Sequence, residues 1–183
     1  MPENRGDPSV VHVPPGGGKS VWFNDGLVTF YALGEETGGA FTLFEEALAP
    51  QERAIPHLHH EEDQAFYVLE GEHEFVCDGR ALAAKAGSFV YVPRGTVHSY
   101  ENVGTEPGRL LILSTPAGGT ERIFFDLGEP ATEGSPPPPT GPLDLQSFRA
   151  TVQKYGSDID FFALLQQISA ERSDEQDALG PSV

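Results

Sequence analysis

From Lys19 to Thr115 the chain runs through short apolar or alternating segments broken by turn residues. The segments read SVWF, LVTFYAL, AFTLFEEAL, AFYVLEG, EHEFVC, ALAAKAG, SFVYVP, VHSYEN and RLLILST, and Phe, Val, Tyr and Thr are prominent in them. Such residues suit a pleated, half-buried surface, and a period of two puts alternate side chains on one face. Asn24-Asp25-Gly26, Gly38-Gly39, Glu70-Gly71, Asp78-Gly79 and Gly104 separate the segments and are turn chemistry. The pattern predicts eight or nine strands with no helix between them, an all-β antiparallel sandwich or barrel.

Helical periodicity begins only after the last of these segments. Thr120 is placed to cap a short helix, ERIFFDL, closed by Gly128. In EPATEGSPPPPTGP four consecutive prolines exclude helix and central strand, so the stretch reads as a linker. Asp144 can cap LQSFRATVQKY, with Leu145, Phe148, Val152 and Tyr155 on one face and Gly156 as its stop; a second helical run, DFFALLQQISAER, follows. The expected division is a loose N-terminal arm over 1–18, a barrel with its closing helix over 19–128, a Pro-rich linker over 129–142 and a helical tail over 143–183. The amphipathic tail must dock on the barrel wall or on a partner subunit.

Charge narrows the partners. A net charge of −17 with no basic cluster repels phosphate backbones, which argues against nucleic acid. Cys77 is the one cysteine, so there is no internal disulfide and no cysteine-based zinc site, and its strand position suggests an inert thiol. The Pro/Gly-rich start has no apolar core for a signal peptide, and no run is long enough to span a bilayer. The expectation is a cytoplasmic protein without a membrane partner. Gly18-Lys19-Ser20 echoes the end of a phosphate-binding loop, but Val13 stands where its first glycine belongs and no helix follows.

The chemistry concentrates in PHLHHEEDQAFYVLEG, residues 56–71, which holds half of the chain's six histidines. On a strand, His57 and His59 share a face, and two imidazoles on one face can chelate a metal without backbone distortion. Gln64, Phe66 and Val68 share a face on the next strand, so Gln64 can supply a third ligand across the turn. His98, after the tight turn Pro93-Arg94-Gly95, is the candidate for a fourth. Asp63 is the alternative to Gln64; turned inward, it would send Gln64, Phe66 and Val68 outward. His60, His73 and His12 read as surface residues, and the acidic run 61–63 as a solvated turn. Phe66, Tyr100 and Phe41 are candidates to line a pocket.

Two gapped motifs join these residues. The first is His57-x-His59, four residues, position 64, six residues, Gly71; the second is Gly87, five residues, Pro93-x-Gly95, two residues, His98, three residues, Asn102. In that order, fifteen residues apart, they resemble the cupin superfamily over roughly residues 20–115. The resemblance implies a double-stranded β-helix (jelly-roll barrel) with a divalent metal (Fe, Ni, Mn, Cu or Zn) on His57, His59, Gln64 and His98. TGGAFTLFE, STPAGGTERIFFDLGEP and the Tyr-Gly near the tail are further similar to the quercetin 2,3-dioxygenase-like group. That likeness implies a metal-dependent dioxygenase, commonly a homodimer, acting on a small enolisable or hydroxylated molecule.

Most metal cupins carry glutamate where this chain has Gln64, and in the flavonol dioxygenases that glutamate is thought to take the substrate's proton. An amide can ligate through oxygen but cannot act as a base at neutral pH. Three neutral imidazoles and an amide leave the ion's charge uncancelled, which favours an anionic substrate. Glutamine at this position also occurs in uronate-linearising cupins, so a non-oxidative isomerase or lyase on a small carboxylate or sugar acid is the second reading. A non-catalytic ligand-binding cupin is the third. For the base, a metal-bound hydroxide, an already ionised substrate and Tyr100 all stand as candidates.

Overall fold

The computed structural model describes residues 10–23, 26–131 and 144–166. Strands β1 (Lys19–Phe23), β2 (Gly26–Ala32), β3 (Thr42–Leu48), β4 (His57–His59), β5 (Asp63–Glu70), β6 (Glu72–Cys77), β7 (Arg80–Lys85), β8 (Phe89–Val92), β9 (His98–Asn102) and β10 (Gly108–Thr115) come first. Helix α1 (Gly119–Leu127), strand β11 (Glu129–Pro130), helix α2 (Leu145–Lys154) and strand β12 (Ser157–Ile159) follow, and residues 161–166 are helical. Every apolar segment read from the sequence forms a strand.

The strands make two antiparallel sheets. One has the order β11-β1-β2-β3-β10-β5-β8 and the other β12-β4-β9-β6-β7. Strict alternation of buried and half-buried positions along β2, β3 and β10 turns one face of each inward. Phe30, Phe44, Phe66, Phe75, Leu110 and Ile112 fill the space between the sheets. The result is the expected jelly-roll barrel.

The tail docks on the barrel's own wall. Phe148 and Val152 of α2 pack with Ile123 of α1 and Ile159 of β12 in a second apolar cluster. Leu145, expected on the same helix face, is instead 42% exposed. β12 pairs with β4 in the register Ser157↔His59, Asp158↔Leu58 and Ile159↔His57. A strand inside the segment read as purely helical corrects that expectation; three residues are too few to show a period. The linker reading also needs correction at its first two residues. Glu129 and Pro130 pair with Trp22 and Val21 at the sheet edge, where a missing N–H on proline is tolerated. The remainder of the linker and the tail beyond residue 166 lie outside the described residues.

Two capping readings divide. Asp144 caps α2 as expected, accepting from the backbone N–H groups of Gln146 and Ser147. Thr120, however, does not cap α1; the N-cap is Gly118, and the missing acceptor is Glu62. Its carboxylate accepts from the N–H of Gly119 (2.6 Å) and of Thr120 (3.0 Å) and from the Thr120 hydroxyl (2.6 Å). Negative charge at a helix N-terminus meets both the unsatisfied N–H groups and the helix dipole. Glu62 is therefore buried rather than part of a solvated turn. His73 is likewise buried, 1% exposed, because it lies on β6 in phase with Phe75 and its Nε2 donates to the Glu70 carbonyl.

Phe66 is fully buried, with ring centroids 5.2 Å from Phe75 and 5.4 Å from Tyr100. Phe66→Ala is expected to lower stability by about 3–5 kcal/mol, read as a shift in urea midpoint with an unchanged slope. A loss below about 1 kcal/mol would mean that this ring does not anchor the core.

Candidate metal centre

β4 is three residues long and carries two of the histidines. Alternation gives His57 and His59 a common face, and the pair His57↔His98 joins β4 to β9. The three rings sit with centroids 4.3–5.7 Å apart. One nitrogen from each lies within 4.8 Å of the others, so these three side chains could hold a metal ion.

Their tautomers are fixed from behind. Nδ1 of His57 donates to the Ile55 carbonyl at 2.7 Å, and Nδ1 of His98 donates to the Thr96 carbonyl at 3.0 Å. A carbonyl only accepts, so each Nδ1 holds the proton and each Nε2 keeps a lone pair. Nδ1 of His59 meets the Ser157 hydroxyl at 2.8 Å, with a Glu62 carboxylate oxygen 3.6 Å away. The acid favours the proton on Nδ1 here too. Partners of this kind orient the rings of metal-binding histidines.

Burial and mutual proximity keep the rings uncharged. His57 is lowered by desolvation, and His59 falls well below the ordinary value through burial and the nearby His57 and His98. His98, 1% exposed, drops to about 3 through burial and then through His57. Neutral imidazole is the ligand form.

Two observations speak to what sits between them. Nε2 of His59 is buried and has no hydrogen-bond partner among the described residues, while the Gln64 side chain opposes the fall in the His59 pKa. Nε2 of neutral His98 faces the Gln64 Oε1 at 3.0 Å, lone pair against lone pair. A shared cation relieves that contact. So does a half-turn of the amide, which would send its N–H to His98 and its oxygen to the Ser114 hydroxyl, 3.1 Å from the amide nitrogen. The orphaned His59 nitrogen fits a metal in either case.

Gln64 faces inward, 5% exposed. Asp63 turns outward to Arg94, whose backbone N–H, Nε and Nη2 all donate to it at 2.8–3.0 Å, holding its carboxyl down at about 2. His60 is exposed at the bend after β4.

A cavity of about 90 Å³ opens beside the cluster. His57, His59 and Gln64 form part of its wall, and Phe23, Phe44, Phe124 and Phe148 make much of the remainder. Tyr100 lines it as expected; Phe41 and Phe66 do not. Glu46 also lines it and was missed, although it stands in phase with Phe44 and Leu48 in TLFEEAL, an acid on an apolar face. Ser157 was missed as well.

Residues 44–114 match the family described as "Cupin domain". The barrel has the cupin fold. A quercetin 2,3-dioxygenase of Bacillus subtilis (strain 168) is 30% identical over 115 residues, covering 63% of this chain and 34% of its own length. The tetracenomycin polyketide synthase protein TcmJ of Streptomyces glaucescens is 30% identical over 95 residues, 52% of this chain and 61% of TcmJ. The chain thus spans 34% to 61% of these curated relatives. Among solved structures, KdgF from Halomonas sp. superposes with a TM-score of 0.54 at 15% identity, over 62% of this chain and 98% of its own. A predicted oxalate decarboxylase from Thermotoga maritima gives 0.53 at 23%, over 59% and 99%. At those identities the two structures establish the cupin fold and nothing narrower.

With Co(II) as probe, Ser157→Ala is expected to bind about 10–100-fold more weakly in competition with a chromophoric chelator, with an unchanged circular dichroism spectrum. Equal affinity would remove Ser157 from the site. A second outcome concerns acid. His98 titrates at about 3 when folded against an ordinary 6.5, so the unfolded chain takes up its proton first as pH falls. Stability from this group is whole above pH 6.5 and drains away towards pH 3. In chelator-treated protein, His98→Asn should flatten that limb of the urea midpoint against pH; an unaltered limb would contradict the assignment.

Proposed function

We propose that this cupin-fold domain is a divalent-metal enzyme acting on a small hydroxylated or enolisable organic molecule, most directly as a dioxygenase. The observation that carries the reading is the convergence of three neutral, back-anchored imidazoles, two of which, His57 and His59, form part of the wall of an aromatic-lined cavity. His57, His59 and His98 would hold the ion, with Gln64 as the fourth protein ligand through its amide oxygen. A bound divalent ion would supply Lewis-acid stabilisation of negative charge on a substrate oxygen. The donor set carries no charge of its own, so an anionic oxygen is the ligand it favours. Phe23, Phe44, Phe124 and Phe148 exclude water and offer ring faces to a flat substrate. The similarity to a quercetin 2,3-dioxygenase and to a polyketide synthase protein supports a substrate of that chemical kind.

One residue favours a second reading. Gln64 cannot serve as the base that a glutamate there would provide, which suits a non-oxidative isomerase or lyase acting on a small carboxylate or sugar acid.

The test is oxygen uptake with quercetin by protein reconstituted separately with Fe, Ni, Mn, Cu and Zn. Metal-dependent O₂ consumption, lost in His57→Ala and His98→Ala, is the expected result. Turnover of a sugar acid that persists under strict anaerobiosis would replace the first reading with the second. Metal binding without turnover of either class would reduce the domain to a ligand-binding protein.

A further inference from the structure

Gln64 leaves the histidine cluster without a side chain that takes up a proton at neutral pH, yet the same cavity holds one. β3 carries Thr42, Phe44, Glu46 and Leu48 on its inner face, so alternation delivers the Glu46 carboxyl to the barrel interior at 6% exposure. There it lines the cavity together with His57, His59 and Gln64. Its Oε2 accepts the hydroxyl hydrogen of Tyr100, at 2.5 Å, from β9 in the opposite sheet. Tyr100 is itself 6% exposed and packed between Phe66 and Phe75, so the phenol has little freedom to turn away. The other ionisable groups on this wall are Glu52, Arg53, His57 and His59. Burying a carboxyl is costly, and an apolar residue in phase with Phe44 and Leu48 would pack the position without that cost. Desolvation, with a smaller contribution from Glu52, pushes the Glu46 carboxyl up to about 7, while the Tyr100 hydrogen bond opposes the rise. Both protonation states are therefore populated near neutrality.

We propose that Glu46, positioned by Tyr100, is the proton-exchanging group of this cavity, accepting the acidic proton of a bound phenol, enol or α-hydroxy compound and able to return it. The inference rests on the metal-enzyme reading above and supplies the base that reading lacks. In the step, the ligand's O–H bond breaks and its electron pair stays on the ligand oxygen. The proton forms an O–H bond on Oε1 of Glu46, while Oε2 keeps the hydrogen bond from Tyr100. One anion replaces another, so no oxidant or reductant enters. The charge moves from Glu46 to the ligand oxygen. Tyr100 is a positioning residue, holding one carboxylate oxygen so that the other is free.

Two measurements on the full chain test this. In the first, infrared spectra of chelator-treated protein follow the protonated-carboxyl C=O stretch against pH. A band absent from Glu46→Gln should disappear with a midpoint near 7. In Tyr100→Phe the midpoint should move up by about one unit, because the carboxylate loses a donor. A Glu46 carboxyl already ionised at pH 5, or a midpoint that Tyr100→Phe leaves in place, overturns the proposal. Should Glu46→Gln fail to fold, the Tyr100→Phe shift alone decides.

In the second, quercetin is bound anaerobically to metal-loaded protein at pH 6–7, with its ionisation read from absorbance and proton release from calorimetry in two buffers. The wild type should bind the ionised flavonol with little proton release. Glu46→Gln, at equal metal content, should bind it un-ionised or release about one proton to buffer. Identical ionisation and release in both proteins overturn the role of Glu46 while leaving the functional reading intact. Failure of quercetin to bind the wild type counts against the phenolic-substrate reading, and Glu46 is then judged on the infrared arm.

Discussion

Three imidazoles crowded into a buried space have to be neutral and have to aim their lone pairs inward; most of the local structure around the barrel mouth serves that constraint. Charged rings with centroids 4.3–5.7 Å apart would repel one another with little solvent to screen them. Each Nδ1 therefore meets an oxygen behind it, from Ile55, Ser157 or Thr96. Two of these oxygens are backbone carbonyls supplied two residues upstream of the histidine, a local device. The third comes from the far end of the chain. Strand β4 is too short to hold its own orientation, and it is fixed because β9 pairs on one side and β12 on the other. The tail is thus part of the site's construction: α2 and β12 bury Phe148, Val152 and Ile159 against α1, and that packing puts Ser157 opposite His59.

Glu62 connects the same region to the helix that closes the barrel. One carboxylate satisfies the first N–H groups of α1 and lies 3.6 Å from the His59 ring. Its pKa is raised by burial and held back by the Thr120 and Gly119 hydrogen bonds. The helix N-terminus thus tolerates a buried acid that in turn biases the tautomer of a histidine. Glu46 and Tyr100 form a second buried pair that lines the same cavity as His57, His59 and Gln64. The cavity wall thus carries neutral imidazoles at positions 57 and 59, an amide at position 64 and an acid at position 46.

How much of this could be read from the chain depends on the range of the interaction that fixes it. The barrel strands were legible because period-two alternation is a local consequence of having one buried face. TLFEEAL shows it plainly, and the same alternation could have exposed Glu46 as an acid on an apolar face. His57, His59 and His98 were legible as a cluster because motif spacing encodes strand and turn lengths. β12 was not legible: SDI is three residues long, and its strand character comes wholly from pairing with β4. Ser157 was hidden for the same reason. Glu62 looked solvated among Glu61 and Asp63, since only the arrival of α1 gives it partners. His73 looked exposed between two glutamates, although its phase with Phe75 placed it inside.

The measurement that bears most directly on the account is a crystal structure of the Co(II)-loaded protein with anomalous data collected at the cobalt edge. The account predicts one strong anomalous peak per chain within bonding distance of Nε2 of His57, His59 and His98, with each Nδ1 still on its oxygen partner. A structure with the three rings arranged as here, but with no peak between them at saturating cobalt, would contradict it.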